Sequence, residues 1–286
     1  LNHGLHLGAI GSTDNWTNMP GYWGQGLMAC LATEFSREGL WEAFRARRVY
    51  GVSGDRIELD FSCNNEPMGS ILEYKPTREF SVSVRGAAEI DRIELLKNGR
   101  VIATYCHQGN WHFPTAGQRS KFKFRVEAGW GPRPNEIPMA DKHWHGELRV
   151  ENGRMCGWEP CWILRGQGVP RLLHDSAEFH MVSAQRYVTR PHQGANIFEF
   201  EATPEATLQL DLNGLQEKGS VKYFSERSRL LWYRDECEKR IRETTGVTPE
   251  TAGSRRDPFF HLACKAKLHA AVPESAYTAK MTFIDD

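Results

Sequence analysis

Alternation of apolar and polar residues dominates the chain from residue 56 onward. In residues 56–61, Ile57, Leu59 and Phe61 fall on one side, and charged residues fall between them. A period of two is typical of a strand that buries one face. Short strands at such regular spacing, separated by turns, predict an antiparallel β-sandwich. The same period recurs at residues 80–85, 90–97, 101–105, 121–127 and 146–151.

Asn-Gly pairs mark tight turns between some of these strands. The pairs Asn98-Gly99 and Asn152-Gly153 each lie between two alternating runs. Both predict two-residue hairpins of type I′, because Asn and Gly accept the positive φ angles of that turn. Asn213-Gly214 predicts a further turn. In each predicted hairpin, the strands before and after the pair are expected to be hydrogen-bonded neighbours.

The first 55 residues have a different pattern. Apolar runs at residues 7–10 and 27–33 match strands that are buried on both faces, as in parallel sheets. Ser36 is placed to cap a helix at residues 37–48, and a further strand follows at residues 49–52. The order strand, loop, strand, helix, strand is typical of α/β domains. We therefore expect a mixed α/β region followed by a mainly β remainder.

The last part of the chain predicts more strands and one helix. Residues 196–202 and 207–212 are expected to pair across a short turn. Residues 226–245 form the only long helical candidate there, and residues 259–271 and 277–284 are expected to be strands. We divide the chain into an α/β region at 1–55, a β-sandwich at 56–165 and a second β-rich module with one long helix at 166–286.

Composition and charge exclude several classes of protein. Basic and acidic residues balance at 36 each, so the formal net charge is +0 and there is no basic footprint for nucleic acid. No apolar run approaches the roughly 20 residues needed to cross a bilayer, so no membrane partner is expected. The cysteines form no C-x-x-C pair, which favours reduced thiols and a cytoplasmic location. Because the chain starts at Leu1 rather than Met, we expect a processed N-terminus or the C-terminal part of a longer protein.

The first candidate site lies just after the apolar run at residues 7–10. Asp14 follows that run in a Gly-Ser-Thr turn, and His3 and His6 lie close before it. A carboxylate at the C-terminal end of a strand is where α/β folds bind ligands and metals. The alternative is that the Asp14 side chain caps the turn. The spacing alone leaves both interpretations open.

A second candidate site is the motif His143-Trp-His145. On a strand, this spacing would place both imidazoles on one face. Zinc needs at least a third protein ligand, and Asp141 is the nearest candidate in the sequence. The alternative is a polar loop between strands. The motif therefore predicts a metal site only if a third ligand joins it.

Aromatic and histidine residues also cluster between residues 107 and 130. Such side chains on the loops of a sandwich can form a platform on which sugar rings stack. The alternative is that they pack the end of a core. The cluster makes a glycan a candidate partner, and its members are His107, Trp111, His112 and Trp130.

Two stretches together resemble the end of a PHP-type (polymerase and histidinol phosphatase) metallohydrolase, in the branch that includes carbaryl hydrolase-like proteins. They are residues 8–14, Gly-Ala-Ile-Gly-Ser-Thr-Asp, and the long segment 33–60, which runs from Thr-Glu-Phe-Ser-Arg-Glu to Ile-Glu-Leu-Asp. Residues 64–69, 93–99 and 153–162 resemble the β-sandwich that this branch appends to its barrel. The resemblance covers roughly the first 165 residues.

The resemblance implies a distorted β/α barrel whose His and Asp/Glu ligands hold divalent metals such as zinc or manganese. These metals activate water for attack on a phosphoester, ester or carbamate. Asp14 matches the aspartate of the family's last ligand motif, but Trp16 stands where the family has histidine. The other family ligands would precede Leu1. The resemblance therefore implies an incomplete metal site, which holds no metal unless the missing barrel segment or another chain completes it.

Two hypotheses for function follow from these residues. In the first, the chain is the C-terminal portion of a PHP-like hydrolase of small molecules, with Trp16, Trp23 and Arg48 as candidate substrate-binding residues. In the second, it is a non-catalytic β-sandwich protein that binds a glycan or a protein, with a degenerate PHP remnant. The retained pattern from Gly8 to Asp60 favours the first hypothesis, and the loss of the histidine at position 16 favours the second.

Overall fold

The computed structural model describes most of the chain, and strand is its dominant element. The described residues form several mainly antiparallel β-sheets, which confirms the prediction of a mainly β protein. They divide into two compact units: Leu1–Phe113 with Pro273–Asp286, here called unit 1, and Pro114–Val272, here called unit 2. The described residues are 4–12, 26–54, 56–107, 111–129, 142–161, 167–183, 194–233 and 265–285, with single positions 235, 236, 239, 242, 243 and 246.

The elements follow one another in chain order. The first half contains β1 (Gly26–Cys30), α1 (Arg37–Arg45), β2 (Val49–Ser53), β3 (Glu58–Cys63), β4 (Glu66–Pro67), β5 (Arg78–Arg85), β6 (Arg92–Lys97), β7 (Arg100–Cys106), β8 (Ser120–Ala128) and β9 (Lys142–Glu151). The second half contains β10 (Arg154–Cys161), β11 (Arg171–Leu172), β12 (Ser176–Ser183), β13 (Gly194–Ala202), β14 (Thr207–Leu212), β15 (Leu215–Ser220), α2 (Val221–Ser225), β16 (Arg229–Trp232), β17 (Lys265–Leu268), β18 (Val272–Pro273), α3 (Glu274–Tyr277) and β19 (Thr278–Asp285).

The β1–α1–β2 segment of unit 1 contains the strand, helix and strand predicted from the sequence. Ser36 caps α1 as expected, because its Oγ accepts a hydrogen bond of 3.0 Å from the Gly39 amide. The two strands nevertheless pair antiparallel, from Gly26 opposite Ser53 to Cys30 opposite Val49. The expectation of a parallel sheet is therefore wrong for this pair. Its strands are only partly buried, so the apolar run did not indicate burial on both faces.

Residues 4–12 contain no strand, so the predicted buried strand at residues 7–10 is wrong. Leu7 and Ile10 are 63% and 64% exposed. The segment does lie against the β1–β2 pair at its glycines. A Cβ on Gly11 would lie 2.6 Å from the Leu27 carbonyl oxygen, and a Cβ on Gly8 would lie 2.8 Å from Val49 Cγ2. Glycine is needed here for close backbone approach, while the apolar side chains face outward.

The remaining sheets of unit 1 match the period-two prediction. A four-stranded sheet has the order β19-β5-β3-β4, and β6 pairs with β7 in a separate two-stranded sheet. The β6–β7 turn has φ of 53° at Asn98 and 77° at Gly99, which confirms the predicted type I′ hairpin. The predicted C-terminal strand is also present as β19.

Unit 2 contains two larger sheets. One has the order β10-β13-β8-β17-β16, with β18 also paired to β8, and the other has the order β11-β12-β9-β14-β15. Buried side chains line one face of β9 and β14, whereas nearly every residue of β13 is buried on both faces. The rings of Phe179 on β12 and Phe198 on β13 lie 5.2 Å apart. Because β8 pairs with β13, strands from both sides of the predicted boundary at residue 165 share a sheet.

Two predicted pairings are wrong in unit 2. The Asn152-Gly153 turn does not close a hairpin, because β9 and β10 lie in different sheets. Residues 196–202 and 207–212 are strands as expected, but β13 and β14 also lie in different sheets. The Asn213-Gly214 turn does join neighbours, since β14 pairs with β15. Turn residues thus fix a change of direction without fixing the partner of the next strand.

The predicted helix at residues 226–245 is wrong over its first part. Residues Arg229–Trp232 form β16, and Leu231 is buried while Leu230 and Trp232 are about half exposed. Positions 235, 236, 239, 242 and 243 are helical, and the other residues of that stretch lie outside the described part. Among the helices in the described residues, none combines the length and apolar character needed to cross a membrane.

Candidate metal centre

The His143-x-His145 motif lies on β9, where alternation separates its three residues between two faces. Trp144 is fully buried in the core of unit 2, and the side chains of His143 and His145 are exposed on the opposite face. The two imidazole rings are 6.5 Å apart between centroids and nearly parallel, with an interplanar angle of 13°. The strand therefore presents two metal-ligating side chains side by side on one open surface.

A third histidine joins them from the neighbouring strand β12. The antiparallel register places His180 directly opposite His145. The imidazole rings of these two residues are 4.6 Å apart between centroids, and His143 Nδ1 lies 3.1 Å from His180 Nε2. Each of the three histidines can offer a ring nitrogen such that all three nitrogens lie within 4.8 Å of one another. The pairing of β9 with β12 thus brings His180 beside His143, although the two residues are 37 positions apart in the sequence.

These separations are close to what a metal requires. Tetrahedral zinc with Zn–N distances near 2.0–2.1 Å keeps its nitrogen ligands about 3.3 Å apart. The 3.1 Å between His143 Nδ1 and His180 Nε2 already matches that separation. His145 needs a side-chain adjustment on an exposed surface, where rotamer changes meet little resistance. Imidazole nitrogens suit zinc, copper, nickel and cobalt better than calcium or magnesium.

The surroundings of the His180 imidazole favour its neutral form by lowering its pKa. Partial burial lowers the pKa of His180 below its ordinary value, and the neighbouring His145 and His143 lower this pKa further because two imidazolium ions repel each other. A metal binds the neutral imidazole and competes with protons for it. The cluster therefore favours the protonation state that a metal ligand requires.

The lowered pKa of His180 predicts an acid-sensitive stability for the metal-free chain. The unfolded chain takes up a proton at the ordinary histidine pKa of about 6.5, whereas folded His180 takes it up only at lower pH. Stability should therefore fall as pH drops below about 6.5, and this group should contribute no pH dependence above that value. Thermal unfolding between pH 5 and 8 checks this, and His180→Ala should flatten the acid slope. An equal flattening in His174→Ala, an exposed histidine elsewhere on the surface, would contradict the assignment to His180.

An open depression of about 510 Å³ borders His145 and His180. Its charged lining residues are Glu147, Glu178, Asp211 and Arg171. Arg171 lies 3.4 Å from Glu178, and Arg149 outside the depression lies 2.6 Å from Glu147. The cluster is therefore accessible to a small molecule from the exposed side of the sheet.

The other candidate residues do not join this cluster among the described residues. His6 lies in the exposed segment 4–12. Arg48 hydrogen-bonds through Nε to the Leu31 carbonyl oxygen at 3.2 Å and forms an ion pair with Glu42, so its guanidinium helps to hold β2 to the α1 region. The remaining predicted residues lie outside the described part: His3, Asp14, Trp16, Trp23 and Asp141.

The proposed sugar platform is only partly described. The rings of His107 and Trp111 stack on each other, with centroids 3.3 Å apart and an interplanar angle of 8°. One face of each ring is therefore covered by the other. The His112 carbonyl oxygen accepts a hydrogen bond of 3.0 Å from Ser275 Oγ, and Trp130 lies outside the described residues.

Sequence comparison relates the chain to parts of longer proteins. It is 32% identical over 144 residues to an uncharacterized protein of Chlamydia muridarum (strain MoPn / Nigg), covering 48% of this chain and 22% of the relative. It is 37% identical over 91 residues to an uncharacterized protein of Chlamydia pneumoniae, covering 30% and 15%. The matched part of the chain thus spans 22% and 15% of the length of these two relatives. No family model and no solved structure matches it.

Proposed function

We propose that this chain binds one divalent transition metal through His143, His145 and His180 as part of a metal-dependent hydrolase. The observation that supports the proposal is that three histidines on one sheet face can each offer a ring nitrogen within 4.8 Å of the other two. Such an arrangement needs three side chains from two strands in one register. A single exposed histidine without a function would require no such alignment of two strands.

Three protein ligands come together in the described part of the chain, and a donor set of three favours a catalytic site over a structural one. Structural zinc sites close the coordination sphere with four protein ligands, whereas catalytic sites use three and leave a position for water or substrate. Bound zinc supplies an activated water for attack on an ester, phosphoester or carbamate. The adjacent depression of about 510 Å³ has the size of a small-molecule site. The three histidines would hold the metal, and the open side of the sheet would admit the substrate.

Metal titration of the purified chain tests the proposal. We expect one zinc or cobalt ion per chain, and we expect His180→Ala to weaken its affinity at least tenfold because two histidines alone hold these ions poorly. His174→Ala is the matched control, since it removes an exposed imidazole outside the cluster. A wild-type chain that binds no stoichiometric metal, or a His180→Ala variant that binds like wild type, would overturn the proposal.

Turnover distinguishes a hydrolase from a binding module. The zinc-loaded chain is to be assayed against a panel of phosphoesters, esters and carbamates. Hydrolysis that depends on zinc and disappears in His180→Ala would support the enzyme. Stoichiometric metal binding without hydrolysis would favour the non-catalytic alternative, in which a β-sandwich module binds a glycan or a protein partner.

The resemblance to PHP-type hydrolases supports a second candidate site for the same class of reaction. Gly8 and Gly11, which belong to the resembling stretch before Asp14, lie close to the β1–β2 pair. In this proposal Asp14 is one ligand, and the others come from a missing barrel segment or another chain. Metal content of the full-length protein, compared between wild type and Asp14→Ala, tests it. An unchanged metal content would remove Asp14 from the ligand set.

A further inference from the structure

Asn213 contacts the metal-site motif although it is no candidate ligand itself. Its backbone amide donates a hydrogen bond of 2.9 Å to the His145 carbonyl oxygen. Its side-chain Oδ1 accepts a bond of 2.7 Å from the His145 amide, and its Nδ2 donates a bond of 2.9 Å to the His143 carbonyl oxygen. A single residue thus makes three hydrogen bonds to the backbone of the His143-Trp-His145 segment.

These bonds lie where the strand ladder stops. The pairing of β14 with β9 ends at Leu212 opposite Gly146, and β14 then turns into β15. On its other edge, the His-x-His segment pairs with β12, which carries His180. The Asn213 side chain therefore supplies hydrogen bonds to β9 beyond the last paired residue of β14. Without the side chain, a single hydrogen bond from the Asn213 backbone amide to the His145 carbonyl oxygen would remain on this edge of the segment.

We infer that Asn213 is a positioning residue for the metal site, an inference that rests on the proposed metal binding. The directions of the His143 and His145 side chains follow from the backbone, and Asn213 fixes that backbone in an extended conformation. Residues that orient metal ligands without touching the metal typically change metal affinity by about 10–100-fold when replaced. Asn213 orients two ligands at once through their peptide groups.

The turn conformation explains why this residue is asparagine, and it supplies a control. Asn213 has φ of 49° and precedes Gly214 at 82°, in a type I′ turn that favours Asn-Gly. Asn98 has the same place in the β6–β7 turn, with φ of 53° before Gly99 at 77°. Glycine accepts positive φ without strain. Replacing either asparagine by glycine therefore preserves the turn, but only Asn213→Gly removes side-chain bonds to the metal-site motif.

Cobalt titration of Asn213→Gly and Asn98→Gly beside wild type tests the inference. We expect Asn213→Gly to bind cobalt about tenfold more weakly and to alter the intensity of the visible cobalt absorption, which reports ligand geometry. Asn98→Gly should leave both unchanged. Asn213→Asp should lie between wild type and Asn213→Gly, because it keeps the acceptor for the His145 amide and loses the donor to the His143 carbonyl.

The outcomes separate the two proposals. A wild-type chain that binds no cobalt overturns the metal site, and the positioning role fails with it. A wild-type chain that binds cobalt, with Asn213→Gly matching Asn98→Gly in affinity and spectrum, overturns the positioning role alone. Should Asn213→Gly fail to fold by thermal unfolding, Asn213→Asp takes its place, and wild-type affinity and spectrum in that variant would overturn the inference.

Discussion

Trp144→Ala is expected to lower the free energy of unfolding of unit 2 by about 3–5 kcal/mol. The Trp144 side chain is fully buried, its ring packs edge-on against Tyr233 at 5.1 Å, and Lys142 Nζ lies 5.1 Å from the ring centroid. Alanine would leave a cavity in the core and remove these contacts. Urea denaturation measures the loss, and hydrogen exchange of β9 peptides locates it.

Trp232→Ala is the matched control for this substitution. Trp232 lies in the same unit, but its side chain is 48% exposed. Its removal should therefore cost less, since about half of its surface stays in water after folding. Equal losses for the two tryptophans would show that Trp144 does not anchor the core. Because Trp144 separates His143 from His145, its packing also fixes the face on which the two imidazoles stand.

The local elements of the fold could be predicted from the sequence because their causes are local. The alternation in residues 56–61 reflects a strand with one buried face, and β3 forms there. Ser36 caps α1 because a hydroxyl beside the free amides of a first turn is favourable wherever the helix packs. The Asn98-Gly99 turn closes a hairpin through its own positive φ angles. None of these outcomes depends on distant residues.

Strand partners could not be predicted in the same way, because pairing depends on residues far apart in the chain. Asn152-Gly153 is the same residue pair as Asn98-Gly99, yet Gly153 does not share the positive φ of Gly99, and the chain passes there from one sheet to the other. The apolar run at residues 27–33 has the composition of a doubly buried strand, yet β1 is a partly buried member of an antiparallel pair. Composition measures how apolar a strand is, and the fold decides what covers it.

In the candidate site, too, the features set by local sequence could be predicted and those set by strand pairing could not. The spacing of His143 and His145 placed both on one strand face without any knowledge of the fold. The expected third ligand was Asp141, chosen for its nearness in sequence, and it lies outside the described residues. His180 enters only through the register of β12 with β9. The only local signal for His180 is its exposed-side position on the alternating strand β12, and many surface histidines have such a position.

On β8, charged residues alternate with apolar ones, and this alternation predicts that the charged face is exposed to solvent. Part of that face is nevertheless buried. The Lys123 side chain is only 2% exposed, and its Nζ donates a hydrogen bond of 2.7 Å to Glu159 Oε1 on β10. Lys121, two residues earlier on the same face, is 43% exposed and lies 4.0 Å from Glu199. The same residue type on one strand face thus experiences two different environments.

Lys123→Met should therefore destabilise unit 2 by about 3–5 kcal/mol, because it removes the ammonium that donates a 2.7 Å hydrogen bond to the buried Glu159 carboxylate. Lys121→Met, the control on the same strand face, should cost less than Lys123→Met, since the Lys121 side chain is 43% exposed and its ammonium lies 4.0 Å from the Glu199 carboxylate. The double variant Lys123→Met/Glu159→Met removes both charges and should recover most of the loss, because a buried pair replaced by apolar residues is often near neutral. Urea denaturation of wild type, the two lysine variants, Glu159→Met alone and the double variant measures these differences. If the double variant loses the sum of the two single losses, the ammonium and the carboxylate are not energetically coupled, and the burial of Lys123 needs another explanation.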